Sequence, residues 1–303
     1  MQPDSTGVRP AIPVFYTPKQ VAVTSSMSPS AGKPASVVAS WQERGLPIRV
    51  VEPQPITVDD FALALDRSFV EDVLACRRDN GFNNRSAQVA ASLPWTTGSR
   101  LSAARHVLAH GGVAAAPCSG FHHAQFDRPF GFCTFNGLMV TAMKLKAEGR
   151  IARIGILDCD QHFGDGTEAL IERHNASDWI VHVTADQDYP REAGTFLTAL
   201  PKLVQRFEGC DVVLYQAGAD PHINDPLGGF LDDAQLARRD TIVFKGMRLL
   251  GVPVAWNLAG GYQTPLRLVL DIHDRTMIEC VRANLGERSL PAGMREGRKA
   301  ADD

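Results

Sequence analysis

Apolar residues along this chain follow two alternating patterns. Short runs of valine, isoleucine, leucine and alanine are separated by longer segments in which an apolar residue recurs every three or four positions. Short apolar runs with many β-branched residues are typical of buried strands, and the three- and four-residue spacing is typical of amphipathic helices. The alternation predicts a single α/β domain with a mostly parallel, multi-stranded sheet and helices on both faces.

The pattern also gives approximate bounds for these elements. Strands are predicted at residues 12–16, 48–52, 113–116, 153–158, 179–183, 212–216 and 252–258. Helices are predicted at residues 36–44, 59–65, 69–80, 98–110, 136–148, 167–174, 200–207, 231–250 and 265–284. The domain is expected to span residues 12–286, after an N-terminal extension of residues 1–11 and before a flexible, charged tail of residues 287–303.

Composition narrows the class of partner. The net charge is −3, with 31 basic and 34 acidic side chains, so no extended nucleic-acid or membrane-surface partner is expected. No apolar run approaches the roughly 18 residues that a membrane-spanning helix needs. The six cysteines form no C-x-x-C pair and no signal peptide is recognisable, so we expect reduced thiols in a cytoplasmic protein.

Four polar clusters follow four of the predicted strands. They occupy residues 119–124, 158–166, 217–229 and 257–262. Ligands of open α/β sheets bind at the carboxyl ends of the strands. We therefore expect the four clusters to form one site.

The second cluster indicates a metal site. Side chains alternate along a strand, so Asp158, Asp160 and His162 are expected to point the same way. Two buried carboxylates this close are unfavourable unless a cation or hydrogen-bond donors offset their repulsion. Asp220, directly after another strand, would complete a three-ligand site with one position open for water or substrate. His222 and Asp225 compete with it on residue type alone.

The other clusters suggest catalysis. His122 and His123 lie in an irregular segment that can turn both imidazoles into one pocket, where they can exchange protons near neutral pH. Asp158 and Asp165 can each accept a hydrogen bond from one of these histidines and fix its tautomer. Two partly exposed loop histidines and a turn aspartate are the simpler interpretation of the same residues.

The fourth cluster ends in Gly260, Gly261 and Tyr262. Paired glycines allow a close approach of backbone to a substrate, and a tyrosine hydroxyl can donate a hydrogen bond to a developing oxyanion.

In this order the clusters resemble the zinc-dependent histone deacetylases and their bacterial relatives, including the acetylpolyamine amidohydrolases. The matching motifs are Gly-Phe-His-His-Ala, Gly-Phe-Cys-x-Phe-Asn, Asp-x-Asp-x-His-x-Gly-Asp-Gly, Gly-Ala-Asp and Gly-Gly-Tyr, which span residues 120–262. The resemblance implies an arginase/deacetylase-like fold. It also implies that Asp160, His162 and Asp220 bind zinc, which Fe²⁺ can replace in the cell.

The resemblance assigns further roles. His122 and His123 correspond to the paired acid and base histidines, with Asp158 and Asp165 as their partners, and Tyr262 to the residue that polarises the acyl carbonyl. Substrate contacts are implied for Gly131, Phe132, Tyr189, Gly260 and Gly261, with Tyr189 forming the wall opposite Phe132. A structural potassium ion is implied beside the zinc, held through Asp158, Asp160, His162, Thr184 and Ala185.

The chain departs from the family pattern at three places. Phe163 follows the ligand histidine where many members have a second histidine, Ala259 begins the glycine triplet, and residues 190–195 lack the expected Pro-Gly-Thr-Gly. The segment 93–98 has no acidic residue that would hold a peptide backbone. These differences affect the tunnel mouth and leave the choice of substrate open.

The function expected from this resemblance is removal of an acetyl or other short acyl group from lysine in a protein or peptide, by metal-activated water. The alternative is hydrolysis of acetylpolyamines or another acylated small amine. A metal-binding or acyl-lysine-binding module without turnover belongs to a different class, and the intact His122, His123 and Tyr262 argue against it. A ureohydrolase-like enzyme with two manganese ions would need more ligands. The sequence gives no oligomeric state.

Overall fold

A seven-stranded parallel sheet runs through the molecule, which is described from a computed structural model covering residues 10–295. The strands are β1 (Ile12–Phe15), β2 (Ile48–Val51), β3 (Val113–Ala116), β4 (Ile154–Asp158), β5 (Ile180–Val183), β6 (Val212–Gly218) and β7 (Val254–Ala259). Their order across the sheet is β2-β1-β3-β7-β6-β4-β5, and every pair is parallel. Each predicted strand is present within a few residues of its expected bounds, and the predicted fold class is confirmed.

Helices cover both faces of this sheet. They are α1 (Lys33–Glu43), α2 (Val58–Phe61), α3 (Arg67–Leu74), α4 (Ala87–His110), α5 (Gly137–Ala147), α6 (Asp165–Arg173), α7 (Ala193–Gln205), α8 (Asp233–Leu250) and α9 (Arg267–Leu285). Short 3₁₀ turns occur at Pro18–Gln20, Glu287–Ser289 and Ala292–Met294. Neighbouring residues of β4 serve opposite faces: Leu157 belongs to the core beneath α7, α8 and α9, and Ile156 to the core beneath α3, α4 and α5.

Three helix bounds differ from the prediction by six residues or more. Helix α4 begins at Ala87 and not at residue 98, because Ser86 caps it and the helix continues through Pro94. Helix α7 likewise begins at Ala193 and not at residue 200, since Glu192 accepts hydrogen bonds from its first amides. Helix α3 ends at Leu74 and not at residue 80. Two residues later, Cys76 has a left-handed φ of 57°, which a continuing right-handed helix cannot include.

Residues 287–295, which belong to the predicted flexible tail, are instead packed on the domain. These residues form two turns against the domain, with the side chain of Leu290 only 1% exposed. Arg295 donates a hydrogen bond to the Leu290 carbonyl at 2.9 Å, and Arg282 donates one to the Met294 carbonyl at 3.0 Å. The rest of the predicted tail and most of the N-terminal extension lie outside the described residues.

Two expectations about the chain as a whole concern membranes and thiols. Among residues 10–295, no helix combines the length and the apolar character needed to cross a membrane. All six cysteines are unpaired, and all except Cys76 are buried. The compartment in which the protein acts stays a prediction.

Candidate active site

The four polar clusters meet above the carboxyl ends of β3, β7, β6 and β4, which are neighbours in the sheet. They enclose a cavity of about 290 Å³. Its lining consists of Ser30, Gly120, His122, His123, Phe130, Gly131, Phe132, Cys133, Asp160, His162, Gln216, Leu227, Ala259, Gly260 and Tyr262. Sheet topology therefore brings together residues that are more than a hundred positions apart in the chain.

Asp160, His162 and Asp220 form the floor of this site. One possible ligand atom from each lies within 4.8 Å of the others. His162 Nδ1 is 3.1 Å from Asp160 Oδ1 and 3.3 Å from Asp220 Oδ2. The Asp220 side chain is fully buried, and its Oδ2 makes no hydrogen bond. Two buried carboxylates and an imidazole converging on one point are a donor set that fits a divalent cation.

Protonation in this cluster responds to the same crowding. Burial and the nearby charge of Asp160 raise the pKa of Asp220 above its usual range. The neighbouring carboxylates of Asp160 and Asp220 raise the pKa of His162 to about 10. A bound cation would offset the repulsion between the Asp160 and Asp220 carboxylates, which protons on Asp220 and His162 otherwise reduce.

His222 and Asp225 have other partners. His222 Nε2 lies 3.1 Å from Asp233 Oδ1, and its Nδ1 accepts a hydrogen bond from the Asn224 amide at 3.1 Å. Asp225 accepts hydrogen bonds from the amides of Leu227 and Tyr262, at 3.0 and 2.8 Å. Among the alternatives left open by residue type, the structure therefore places Asp220 with Asp160 and His162.

His122 is held by a buried carboxylate. Its Nδ1 lies 2.8 Å from Asp158 Oδ2, and its Nε2 lies 3.6 Å from Asp160 Oδ1. Burial lowers the pKa of His122, but Asp158 and Asp160 outweigh that effect and raise the pKa to about 9. The structure thus pairs His122 with Asp158, as the sequence predicts.

Gln216 and Asn257 extend this pair across the sheet. Asp158, Gln216 and Asn257 occupy the same register position on β4, β6 and β7. Gln216 Nε2 donates to Asp158 Oδ1 at 2.9 Å, and Asn257 Nδ2 donates to Gln216 Oε1 at 3.4 Å. Neither residue is assigned a role from the sequence. A glutamine and an asparagine inside apolar strands nevertheless indicate buried side chains that need hydrogen-bond partners.

His123 is more accessible than His122. Its Nδ1 is hydrogen-bonded to Asp165 Oδ1. The other carboxylate oxygen of Asp165, Oδ2, accepts a hydrogen bond from Gln125 Nε2 at 2.9 Å. Gly131 has a left-handed φ of 53°, and a Cβ atom there would lie 2.6 Å from the His123 ring. Glycine at this position is therefore required by both the backbone and the histidine.

Tyr262 lies beside the candidate metal ligands and lines the cavity. Burial, together with the charges of Asp220 and Asp160, raises its pKa well above the usual range, so the hydroxyl keeps its proton and can donate a hydrogen bond. Its ring lies 5.7 Å from the Phe132 ring, centroid to centroid. A Cβ atom on Gly260 would lie 2.1 Å from the Asp220 carboxyl carbon, so only glycine fits there.

Two of the predicted substrate contacts, Tyr189 and Gly261, do not line the cavity. Tyr189 is buried in the core, where its hydroxyl donates to the Asp158 carbonyl at 2.8 Å and its ring packs 4.5 Å from that of Phe196. It does not line the cavity, because this hydrogen bond and its apolar neighbours hold the side chain in the core. Gly261 faces Val269 and Ala219 and also lies outside the lining.

Lys33 is a third residue near the site whose place the sequence did not reveal. It begins α1, is 1% exposed, and donates a hydrogen bond from Nζ to the Gly260 carbonyl. Burial lowers its pKa to about 8, although the charges of Asp220, Asp160 and Asp225 oppose the change. The loop before this helix also brings Ser30 to the cavity. A lysine in a turn-rich polar loop gave no sign of burial.

The residues assigned to potassium lie next to Asp158. Thr184 Oγ1 accepts a hydrogen bond from the Gly164 amide at 2.9 Å, and both Thr184 and Ala185 are buried. A Cβ atom placed on Gly164 would be 2.9 Å from Asp158 Oδ2 and 3.4 Å from Thr184 Oγ1. The potassium ion itself stays a prediction.

Comparison with known proteins gives the family. The family profile described as histone deacetylase domain matches residues 30–196, which is more than half of the chain. A rice protein, histone deacetylase 10, chloroplastic (Oryza sativa subsp. japonica), is 27% identical over 295 residues, covering 81% of this chain and 65% of the rice protein. A probable deacetylase of Methanothermobacter thermautotrophicus is 23% identical over 272 residues, covering 77% of this chain and 80% of that protein.

A solved structure supports the fold. The crystal structure of an acetylpolyamine aminohydrolase from Burkholderia pseudomallei matches with a TM-score of 0.71, over 90% of this chain and 99% of that chain. Sequence identity in this comparison is 19%. The match therefore confirms the arginase/deacetylase-like architecture and leaves the substrate open.

Proposed function

We propose, from the premise that this chain belongs to the histone deacetylase family and hydrolyses amide bonds, that it is a metal-dependent deacylase of acylated lysine. One observation carries the proposal. Asp160, His162 and Asp220 converge within 4.8 Å at the floor of a cavity that also contains His122, His123 and Tyr262. This arrangement combines a cation site, two proton carriers and a hydroxyl donor around one small volume.

The three converging residues would hold the ion and leave a position open for water or substrate. When bound, a divalent ion supplies a Lewis acid for the acyl carbonyl and lowers the pKa of a water toward about 7. Zinc is the ion we propose, because two carboxylates and an imidazole suit it, with Fe²⁺ as the alternative in the cell.

His123 takes the proton of the attacking water in this mechanism. Its Nδ1 is bonded to Asp165, so its Nε2 is left for the water. His122, bonded to Asp158 and more deeply buried, stabilises charge as the bond to the amine breaks. A protonated imidazole then passes its proton to the departing amine.

Tyr262 stabilises the oxyanion that develops on the acyl oxygen. Its raised pKa keeps the hydroxyl protonated, so it donates a hydrogen bond where negative charge appears. Removing one donor of this kind typically costs roughly 2.7–4 kcal/mol of transition-state stabilisation.

The walls of the cavity favour lysine over a polyamine. Phe130, Phe132 and Leu227 give apolar surface that suits the four methylenes of a lysine side chain. Among the described residues that line the cavity, Asp160 at the floor is the only carboxylate. A polyamine would carry further ammonium groups into this space, and among the described lining residues there is no second carboxylate to pair with them.

Hydrolysis of acetylpolyamines is the second candidate. Tyr189 does not line the cavity, so the wall opposite Phe132 lacks the aromatic ring that the resemblance implies there. The matching fold of a protein named acetylpolyamine aminohydrolase makes this alternative worth testing.

A substrate panel distinguishes the candidates. Acetyl- and longer acyl-lysine peptides and acetylated polyamines would be assayed with the full-length protein and added Zn²⁺ or Fe²⁺. We expect higher kcat/KM for the peptides and about one bound ion per chain. Faster turnover of acetylpolyamines would support the alternative, whereas a metal-free and inactive protein would support a binding module. Asp220→Asn, which removes one ligand charge, should lose both metal and activity.

A further inference from the structure

A buried arginine lies directly behind the candidate metal site. Arg239 on α8 is 0% exposed, and its Nη1 donates to the Gly218 carbonyl at 2.6 Å and lies 3.4 Å from the Cys159 carbonyl. Cys159 precedes Asp160, and Gly218 lies two residues before Asp220. One guanidinium therefore contacts the two backbone segments that carry the two carboxylate ligands.

The sheet ladder that joins these two segments ends just before Asp160. Strands β4 and β6 are in register only as far as Asp158 and Gln216, after which the Cys159 amide donates to the Gln216 carbonyl at 3.0 Å. Strand β6 continues to Gly218, but there it is paired with β7 on its other side. The end of β4 has thus left the β4–β6 ladder just where Asp160 must be placed.

We propose that Arg239 is a positioning residue that fixes the distance between the Asp160 and Asp220 segments and so sets the affinity of the site for its metal. The inference rests on the proposed metal site. A planar guanidinium has several donors in a fixed arrangement, so it can bond to two carbonyls and a carboxylate together.

The arginine is itself firmly held. Its Nε donates to Asp240 Oδ1 at 2.9 Å, and that carboxylate also accepts hydrogen bonds from the hydroxyls of Tyr215 and Thr276. A buried cation is tolerated only when it is paired and hydrogen-bonded. Asp240 meets this need and ties the guanidinium to β6 and α9.

Gly218 shows how close the two segments are. A Cβ atom at this position would lie 2.5 Å from the Cys159 carbonyl oxygen and 2.7 Å from Asp160 Cα. No side chain fits between the segments, and Gly218→Ala should push them apart without altering Arg239.

The test measures metal affinity in full-length protein stripped of metal. The dissociation constant for Zn²⁺ would be obtained by competition with a chromophoric chelator for wild type, Arg239→Lys and Gly218→Ala. Lysine keeps the charge beside Asp240 but has no planar fork, so we expect the dissociation constant to rise about 10–100-fold, as for other outer partners of metal ligands. Gly218→Ala should change it in the same direction.

Thr276→Val is the matched control. It removes the 2.7 Å hydrogen bond to Asp240 Oδ2, whereas Arg239 donates to the other oxygen of this carboxylate, Oδ1. It should lower the thermal unfolding temperature and leave the zinc dissociation constant within about twofold of wild type.

Two outcomes would overturn the proposal. Arg239→Lys with the same zinc affinity as Thr276→Val would show that the arginine acts on stability alone. If Arg239→Lys does not fold, unchanged zinc affinity in Gly218→Ala decides against the proposal. A wild-type protein that binds no divalent metal would instead refute the metal site and, with it, the proposed function.

Discussion

His122 and His123 are neighbours in the chain and each is bonded through Nδ1 to an aspartate, yet their surroundings differ. The side chains of His122 and Asp158 are 5% and 0% exposed, and those of His123 and Asp165 are 16% and 36% exposed. Asp158 is bonded to Gln216 inside the sheet, whereas Asp165 is bonded to Gln125 near the surface. The same kind of pair is therefore buried in one case and accessible in the other, in line with the proposed division between charge stabilisation by His122 and proton transfer by His123.

The largest expected effect is on the accessible pair. His123→Ala should lower kcat by about 10²–10⁴-fold, the range typical for loss of a general acid or base. Steady-state kinetics on the best acyl-lysine peptide would measure it, with the exposed His110→Ala as a control of residue type. If kcat of His123→Ala stays within tenfold of wild type while His122→Ala is inactive, the two histidines have the opposite roles.

The buried carboxylate should show the next largest effect. In Asp158→Asn the amide oxygen can keep the hydrogen bonds from Gln216 and the Asp160 amide, so the new NH₂ group faces His122 Nδ1. The imidazole then accepts this hydrogen bond at Nδ1 and carries its one proton on Nε2, so it is neutral and loses the charge stabilisation proposed for His122. We expect kcat to fall about 10–100-fold. An unchanged kcat would mean that Asp158 does not control the tautomer.

The two glutamines offer a matched pair. Gln216→Leu removes a donor from a buried carboxylate and should lower the free energy of unfolding by about 1.5 kcal/mol or more, whereas Gln125→Leu, beside the partly exposed Asp165, should cost about 0.5 kcal/mol. Urea denaturation of the metal-free proteins would measure both. Equal losses would show that the difference in burial has no energetic consequence.

The smallest expected effect is on acid stability. Burial raises the pKa of Asp165, but the hydrogen bond with His123 outweighs it and holds the pKa below its usual value. A carboxyl with a lowered pKa in the folded state contributes stability above about pH 4, and this contribution is lost as the pH falls through the folded-state pKa. Asp165→Asn should therefore lose less stability than wild type between pH 5 and 3, as followed by thermal unfolding. A steeper loss in the variant would contradict the sign.

Much of the fold and part of the site were accessible from the sequence. Periodicity located all seven strands, because a buried parallel strand needs a continuous apolar run. Polar residues directly after such runs pointed to Asp160, His162 and Asp220, since strand ends of a parallel sheet share one edge. Helix starts were less accessible at Ala87 and Ala193, where capping residues extend the helices past internal prolines.

The sequence by itself determined the layered α/β architecture and the residue types at the strand ends, because both follow from local patterns of apolar and polar side chains. The ordered motifs already favoured Asp220 over its competitors, and the tertiary structure brings it to Asp160 and His162. Only the tertiary structure placed Tyr189 in the core and buried Lys33 and Arg239 beside the site. Those choices depend on hydrogen bonds and packing between distant segments. The contacting residues lie on different strands and helices, and a local sequence pattern does not predict which distant residues will contact each other.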